Sequence, residues 1–281
     1  MKKILSLILA LTMAVGLAAC GSAEAPAEET TEGTEAGEAV TLTVAATATP
    51  HAEILAQVVD VLAEQGITLV VDEYNDYVTP NTAVEEGEVD ANFFQHTPYM
   101  DQFNADKGTH LVSVAKIHYE PMGIYAGMTA SLEELPDGAT IAVPNDPTNE
   151  ARALLLLEAQ GLIEVDDAAG LNATPNDITS NPKNLQFKEL EAPMLPQTVE
   201  EVDLSIINSN YALQGGLNPA TDALASEDPD SDAAQTYANI IAVKEGNENN
   251  EAIQALVKAL QSDAVREYIN ETYSGAVVPM F

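Results

Sequence analysis

The sequence predicts an α/β protein of two lobes with a cleft between them. Three observations predict it. Short apolar runs of strand length alternate with segments of helical period along most of the chain. That alternation changes unit twice, near residues 117–125 and again near residue 235. Once the front of the chain is set aside, roughly 240 of the 281 residues remain to fold, enough for one large or two medium domains.

Residues 40–47 (VTLTVAAT) read as the first strand. Pro50-His51-Ala52-Glu53 opens a helix in which Ile54, Leu55, Val58, Val61 and Leu62 fall at helical spacing, and Gly66 closes it. Residues 67–71 form the next strand, with Asn75-Asp76-Tyr77-Val78 as a loop at its carboxyl end. A short helix follows over 80–86, stopped by Gly87. Residues 89–94 make a third strand, Gln95-His96-Thr97-Pro98-Tyr99 leads into a helix ending near Gly108, and 111–117 make a fourth strand. Such alternation predicts a mostly parallel sheet with helices on both faces, whose ligands bind beyond the carboxyl ends of the strands. His51, Tyr77 and His96 all fall at such ends.

A second unit begins with a strand at 122–127 and a short helix at 131–135. Its centre is residues 140–161, TIAVPNDPTNEARALLLLEAQG, which read as strand, turn and helix. Asp146 is a good N-cap, Pro147 fits the first helical position because its missing N–H costs nothing there, and Gly161 ends the helix. Asn149, Arg152 and Leu156 share one face. An anion docked at the helix start would meet free N–H groups and the guanidinium fork of Arg152. Residues 185–190 and 204–207 are further strands with a helix near 195–201, and Asn208-Ser209-Asn210-Tyr211 sits at a strand end and starts another helix. A strand at 237–243 and two amphipathic helices finish the chain. The expected division is lobe one over 40–120 plus 236–281 and lobe two over 121–235, with the two crossings acting as a two-strand hinge. Gly215-Gly216 and Glu227-Asp228-Pro229-Asp230 read as loop signals without chemistry.

The front end carries a different signal. Met1-Lys2-Lys3 is a charged start, followed by an apolar stretch of signal-peptide length, too short for a membrane span. It ends in Leu17-Ala18-Ala19-Cys20-Gly21, which resembles a bacterial lipobox, so residues 1–19 are expected to be a lipoprotein signal peptide and Cys20 the acylated (palmitate-bearing) first residue of the mature chain. Cys20 is the single cysteine, which rules out an intrachain disulfide. Residues 20–39 are rich in Ala, Glu, Thr and Gly without aromatic or large aliphatic residues, the composition of an acidic disordered tether spanning about 25 Å. The expected location is the extracytoplasmic face of the cell membrane.

The formal charge is −35, from 45 acidic and 10 basic residues. That balance excludes nucleic-acid binding, which needs a basic footprint, and disfavours adsorption to anionic lipid. Besides Arg152 the folded part holds one other arginine, Arg266.

Several longer motifs then stand in order along the chain. They are Pro50-His51-Ala52, NDYVTPN (75–81), DANFFQHTPY (90–99), VPNDPTNEARALLLLE (143–158), NPKNLQFKELEAPMLP (181–196) and INSNYA (207–212). In these the sequence closely resembles the NlpA lipoproteins, the methionine-binding, MetQ-type substrate-binding components of ABC importers. The resemblance implies a two-lobed periplasmic-binding-protein fold, type II-like, that closes on a free amino acid as a monomer. It implies L-methionine as ligand and a membrane permease and its ATPase as partners, with no enzymatic activity and no cofactor. Carried over by residue, Arg152 would clamp the ligand carboxylate, and Asn208 and Asn239 would orient the carboxylate and ammonium. Tyr77, Phe94 and His96 would line the thioether pocket, with His51 and Tyr119 near it and Asn149 at the carboxylate end. Phe93 and Phe94 are adjacent on a strand, so only one faces the core. D-methionine, a methionine dipeptide or another apolar amino acid are the alternative ligands.

Other classes leave weaker marks. His51, His96, His110 and His118 show neither HxxxH nor HxH spacing, which speaks against a metal receptor. GxSxG and HExxH are absent, which speaks against a hydrolase. An added adhesive or signalling role on the same fold would leave no mark in the sequence.

Overall fold

β-Branched residues and alanine dominate the strands, Pro and Gly punctuate the helices, and the computed structural model, which describes residues 40–281, follows that pattern closely. In chain order the strands of the first half are β1 (Val40–Ala46), β2 (Ile67–Glu73), β3 (Ala91–His96) and β4 (Leu111–Tyr119). The helices between them are α1 (Glu53–Ala56), α2 (Val59–Ala63), α3 (Thr79–Glu86) and α4 (Thr97–Lys107). The middle of the chain forms β5 (Gly123–Ala126), β6 (Thr140–Pro144), α5 (Pro147–Ala159), β7 (Glu164–Val165), β8 (Ile178–Ser180), β9 (Gln186–Leu190), β10 (Leu204–Ile207), α6 (Ser209–Gln214), β11 (Ala223–Ser226) and α7 (Asp232–Thr236). The chain ends with β12 (Asn239–Lys244), α8 (Glu251–Leu260), α9 (Asp263–Tyr273) and β13 (Val278–Pro279).

Two main sheets result. The first has strand order β13-β4-β12-β3-β1-β2 and the second β11-β5-β10-β6-β9. Successive residues of each strand point to opposite faces. Val44 and Ile241 join a core with Phe93, Leu55 and Leu256, whereas their neighbours Ala45 and Ile240 pack with Val84 and Met100 on the other face. In the second sheet Ile141, Val143 and Ile206 pack with Leu154 and Leu157, while Ala142 and Ile207 face Leu195 and Tyr211. Each sheet thus buries both faces under its own helices and loops, which makes two lobes.

Four local expectations change. The sheets are mixed rather than mostly parallel: β12 runs antiparallel to both β3 and β4, and β5 runs antiparallel to both β10 and β11. A strand that returns to the first sheet from the other lobe needs no crossover helix to reverse its direction. The helix expected from residue 50 is split into α1 and α2 by a turn at Gln57 and Val58. Residues 131–135 make bends and turns, because five residues ahead of Pro136 are too few to repay helix nucleation. The helix expected near 195–201 is a run of 3₁₀ turns over Ala192–Glu201, since Pro193 and Pro196 lack the N–H that an α-helix needs. A fifth difference positions the site. β3 ends at His96, two residues later than expected, so Phe94 and His96 share one face while Phe93 is buried in the core.

The lipobox Cys20, the signal peptide and the tether lie outside the described residues. Among the described residues no helix is long and apolar enough to cross a membrane.

Candidate ligand-binding cleft

The carboxyl ends of β3, β6 and β10 point into one crevice between the lobes, and each delivers polar side chains to it. After β3, His96 caps α4: its Nδ1 accepts the backbone N–H of Tyr99 at 3.2 Å. That leaves the proton on Nε2, which donates to Asn149 Oδ1 across the cleft at 3.1 Å. After β6, Asp146 caps α5 by accepting the backbone N–H of Asn149 at 3.0 Å. The expected anion site at this helix start is therefore filled by the chain's own carboxylate. Asn149 Nδ2 also donates to the Asp146 carboxylate, 2.9 Å from Oδ1 and 3.1 Å from Oδ2. After β10, Asn208 Nδ2 donates to the same Asn149 Oδ1 at 2.9 Å. Asn149 is thus fully used in holding His96 and Asn208.

Between these ends lies a small cavity of about 20 Å³. The cleft is closed tightly on its walls. Tyr77, Phe94, Gln95, His96, Tyr99 and Glu120 line it from the first lobe, Asn149, Arg152, Asn208, Ser209 and Asn210 from the second, and Asn239 from the start of β12. Across it, Tyr77 Oη donates to Asn210 Oδ1 at 2.6 Å, and the rings of Tyr77 and Tyr211 stand 5.0 Å apart. Tyr77, Phe94 and Tyr99 form an aromatic wall with ring centroids 5.7 to 6.0 Å apart. Of the expected residues, His51 and Tyr119 do not line the cavity: both are buried behind it. His51 Nε2 stands 3.1 Å from Asn239 Oδ1 and 3.3 Å from Glu120 Oε1, with Thr47 Oγ1 on its Nδ1 at 2.7 Å. Tyr119 donates its hydroxyl to Glu227 at 2.6 Å.

Electrostatically the wall divides in two. Burial would pull the Arg152 guanidinium down, but Glu227, with the rings of Tyr119 and Tyr237 beside it, holds it above its ordinary value. Burial likewise pushes Glu227 up, yet the Arg152 charge and the hydrogen bonds it receives leave its carboxyl below the usual range. Burial drives His51 to about 4 and His96 to about 3, so both stay neutral. His118 falls to about 3 for the same reason. It donates Nε2–H to Glu120 Oε1 at 2.7 Å. Glu120 itself is raised by burial, against the pull of His51, Arg152 and the backbone N–H of Asn210. Several polar groups on the cavity wall stay open, the buried Asn210 Nδ2 among them. Asn208 Oδ1 is buried and accepts no hydrogen bond, and Arg152 Nη1 makes none among the described residues.

Six residues here escaped the sequence reading as site residues: Gln95, Tyr99, Glu120, Ser209 and Asn210 on the cavity wall, and Glu227 on Arg152. Tyr99 read as helix start and Glu227 as loop. His51, His118 and Glu120 also bring donor atoms within 4.8 Å of one another, which spacing along the chain does not reveal. His51 Nδ1 and Nε2, His118 Nε2 and Glu120 Oε1 are engaged in the contacts just given, while the buried His118 Nδ1 has no hydrogen-bond partner.

The NlpA lipoprotein family model matches residues 42–281, nearly all of the described chain. The chain belongs to the NlpA lipoprotein family. A solved lipoprotein from Ruminococcus gnavus ATCC 29149 is 58% identical, with a TM-score of 0.85, covering 86% of this chain and 99% of that one. A nutrient binding protein from Burkholderia cenocepacia, solved bound to methionine, is 43% identical with a TM-score of 0.81, over 85% of this chain and 100% of its own. The D-methionine-binding lipoprotein MetQ of Salmonella typhimurium is 47% identical over 207 residues, 73% of this chain and 75% of the relative. The family members of known structure thus share the two-lobed arrangement with its cleft, and the family's role is binding rather than catalysis.

Proposed function

We propose that this lipoprotein captures L-methionine in the interlobe cleft and delivers it to an ABC permease and its ATPase. The observation that carries the reading is the pairing of two open polar groups with an aromatic wall. The Nη1 edge of Arg152 suits a ligand carboxylate. The unpartnered Asn208 Oδ1 is an acceptor without charge and suits an α-ammonium. Asn239 uses its Oδ1 on His51, which leaves its amide hydrogens for the carboxylate. Tyr77, Phe94 and Tyr99 suit a thioether, each sulfur–ring contact contributing about 0.3–1.5 kcal/mol. Family membership and the methionine-bound Burkholderia neighbour support the ligand class.

In this reading residues 40–120 plus 236–281 form the first lobe and 121–235 the second. Residues 20–39 tether a monomer to the membrane through lipid on Cys20, on the extracytoplasmic face. His51 and Tyr119 act as supports behind the wall rather than as contacts.

The test starts from the protein purified under native conditions, denatured, and its released small molecules identified by mass spectrometry. Calorimetric titration of the stripped, refolded protein with L-methionine, D-methionine, methionine dipeptides and leucine follows. Release of methionine and micromolar or tighter binding of the L form are expected. Preference for D-methionine or a dipeptide would move the ligand within the class, and absence of any methionine heat would refute it.

A further inference from the structure

Arg152 spends two of its three guanidinium nitrogens on the protein. Nε donates to Glu227 Oε1 at 2.8 Å, and Nη2 donates to Glu227 Oε2 at 2.6 Å and to the backbone carbonyl of Glu120 at 2.7 Å. The Glu227 carboxylate in turn accepts from Tyr119 Oη at 2.6 Å and from the backbone N–H of Met122 at 2.8 Å. Tyr119 ends β4, and Glu120 and Met122 belong to the first connection between the lobes, which joins β4 to β5. Glu227 opens the second connection, directly after β11, and Tyr237 near its end lays its ring 4.4 Å from the guanidinium carbon. The arginine side chain therefore starts on the second lobe's helix α5 but is aimed by both inter-lobe connections.

We propose that Glu227 is the positioning residue of this cleft. It fixes the plane of the Arg152 guanidinium in the cavity wall through Nε and Nη2, which leaves Nη1 for a ligand, and it ties that plane to both hinge segments. The proposal rests on the reading of Arg152 as the clamp for a ligand carboxylate. An arginine without a partner samples many rotamers, and its fork makes bidentate geometry only where something holds its plane. Glu227 supplies that hold with two parallel hydrogen bonds, while Tyr119 and Met122 keep the carboxylate itself from turning. The alternative role, a counter-charge that only screens Arg152, predicts the opposite sign: removing it would strengthen anion binding.

The experiment compares the full lipoprotein in detergent with its Glu227→Gln and Tyr119→Phe variants. Each is titrated calorimetrically with L-methionine and with L-methioninol, which keeps the ammonium and thioether but lacks the carboxylate. Wild type should prefer methionine strongly. Glu227→Gln, which puts an amide donor against a guanidinium donor, should lose about 30-fold in methionine affinity while methioninol changes by less than about threefold. Tyr119→Phe removes one bond to Glu227 without changing volume and should lose methionine selectively by about threefold. It also carries the test if Glu227→Gln fails to fold. Equal losses for both ligands in the two variants would make the role merely structural and overturn the proposal, and so would unchanged or tighter methionine binding. A wild-type protein that bound methioninol as tightly as methionine would instead remove the clamp reading, and the positioning role with it.

Discussion

Arg152 is 4% exposed and its charge is answered by Glu227 inside the protein, which changes what its replacement should do. Arg152→Ala removes the proposed carboxylate clamp. In the structure that substitution strands a buried carboxylate, a loss of about 3–5 kcal/mol. Calorimetry should therefore find methionine binding gone and thermal unfolding shifted down together. Arg152→Lys keeps the charge but not the fork, so stability should largely return while affinity stays at least about tenfold below wild type. A lysine variant with wild-type affinity would show that a point charge suffices and that the guanidinium held by Glu227 is not required. Asn239 stands on the buried strand β12 with its carbonyl oxygen on His51. Asn239→Ala should weaken methionine binding about tenfold and cost about 1 kcal/mol of stability. A stability loss with unchanged affinity would make Asn239 a support for His51 and nothing more.

At the scale of one element, α5 carries both the site and a liability. Its first turn brings Glu150 beside Asp146 and Glu189. Burial, followed by the charges of Glu189 and Asp146, raises Glu150 to about 7, and its Oε1 has no hydrogen-bond partner. A carboxyl raised in the folded state above its ordinary 4.5 opposes folding once ionised. Its relative stabilisation is complete below pH 4.5 and is lost as pH rises through about 7. Glu150→Gln should therefore be more stable than wild type at pH 8, by about 1–3 kcal/mol, with the gap closing toward pH 4.5. Chemical denaturation at the two pH values reads this directly, and a gap independent of pH would contradict the assignment. Helix α3 shows how such an element supports the wall without touching the ligand. Asn81 donates to Gln95 and accepts from Gln95 and Asn92 at 2.6–2.9 Å, closing a buried amide network under β3. A network satisfied in this way holds Phe94 and His96 in place.

For the whole molecule, the two lobes meet through side chains from both sheets, and the ligand would complete the polar wall only when they are together. Ligand binding and closure are then one equilibrium, since neither lobe alone offers both the aromatic wall and the arginine. The acidic character acts at this scale too. A net charge of −35 favours solubility and works against binding to anionic surfaces, and in the proposed reading membrane attachment would fall to lipid on Cys20. Cys20→Ala should move the protein from the membrane fraction to the soluble fraction in a fractionation assay. Retention in the membrane would contradict the lipobox reading.

Local chemistry made a large part of this protein legible in advance. The Asp146 cap and the strand ends carrying Tyr77, His96 and Asn208 depend on residues only a few positions apart. Which of Phe93 and Phe94 joins the first core and which packs against Tyr99 at the cleft depended on which face of β3 turns to the helices. Short-range rules of capping and periodicity govern the first kind of feature, and the sequence by itself determined the family, the order of elements and most of the cleft wall. The tertiary structure alone decided the rest. Arg152 meets Glu227 across 75 residues, and His51 meets Asn239 across 188. Glu227 is one of 45 acidic residues and sits in a run that looks like any other turn. Nothing local distinguishes it, because its role comes from the buried guanidinium that packing brings to it, and the cost of burying a charge without a partner is paid only in the folded state.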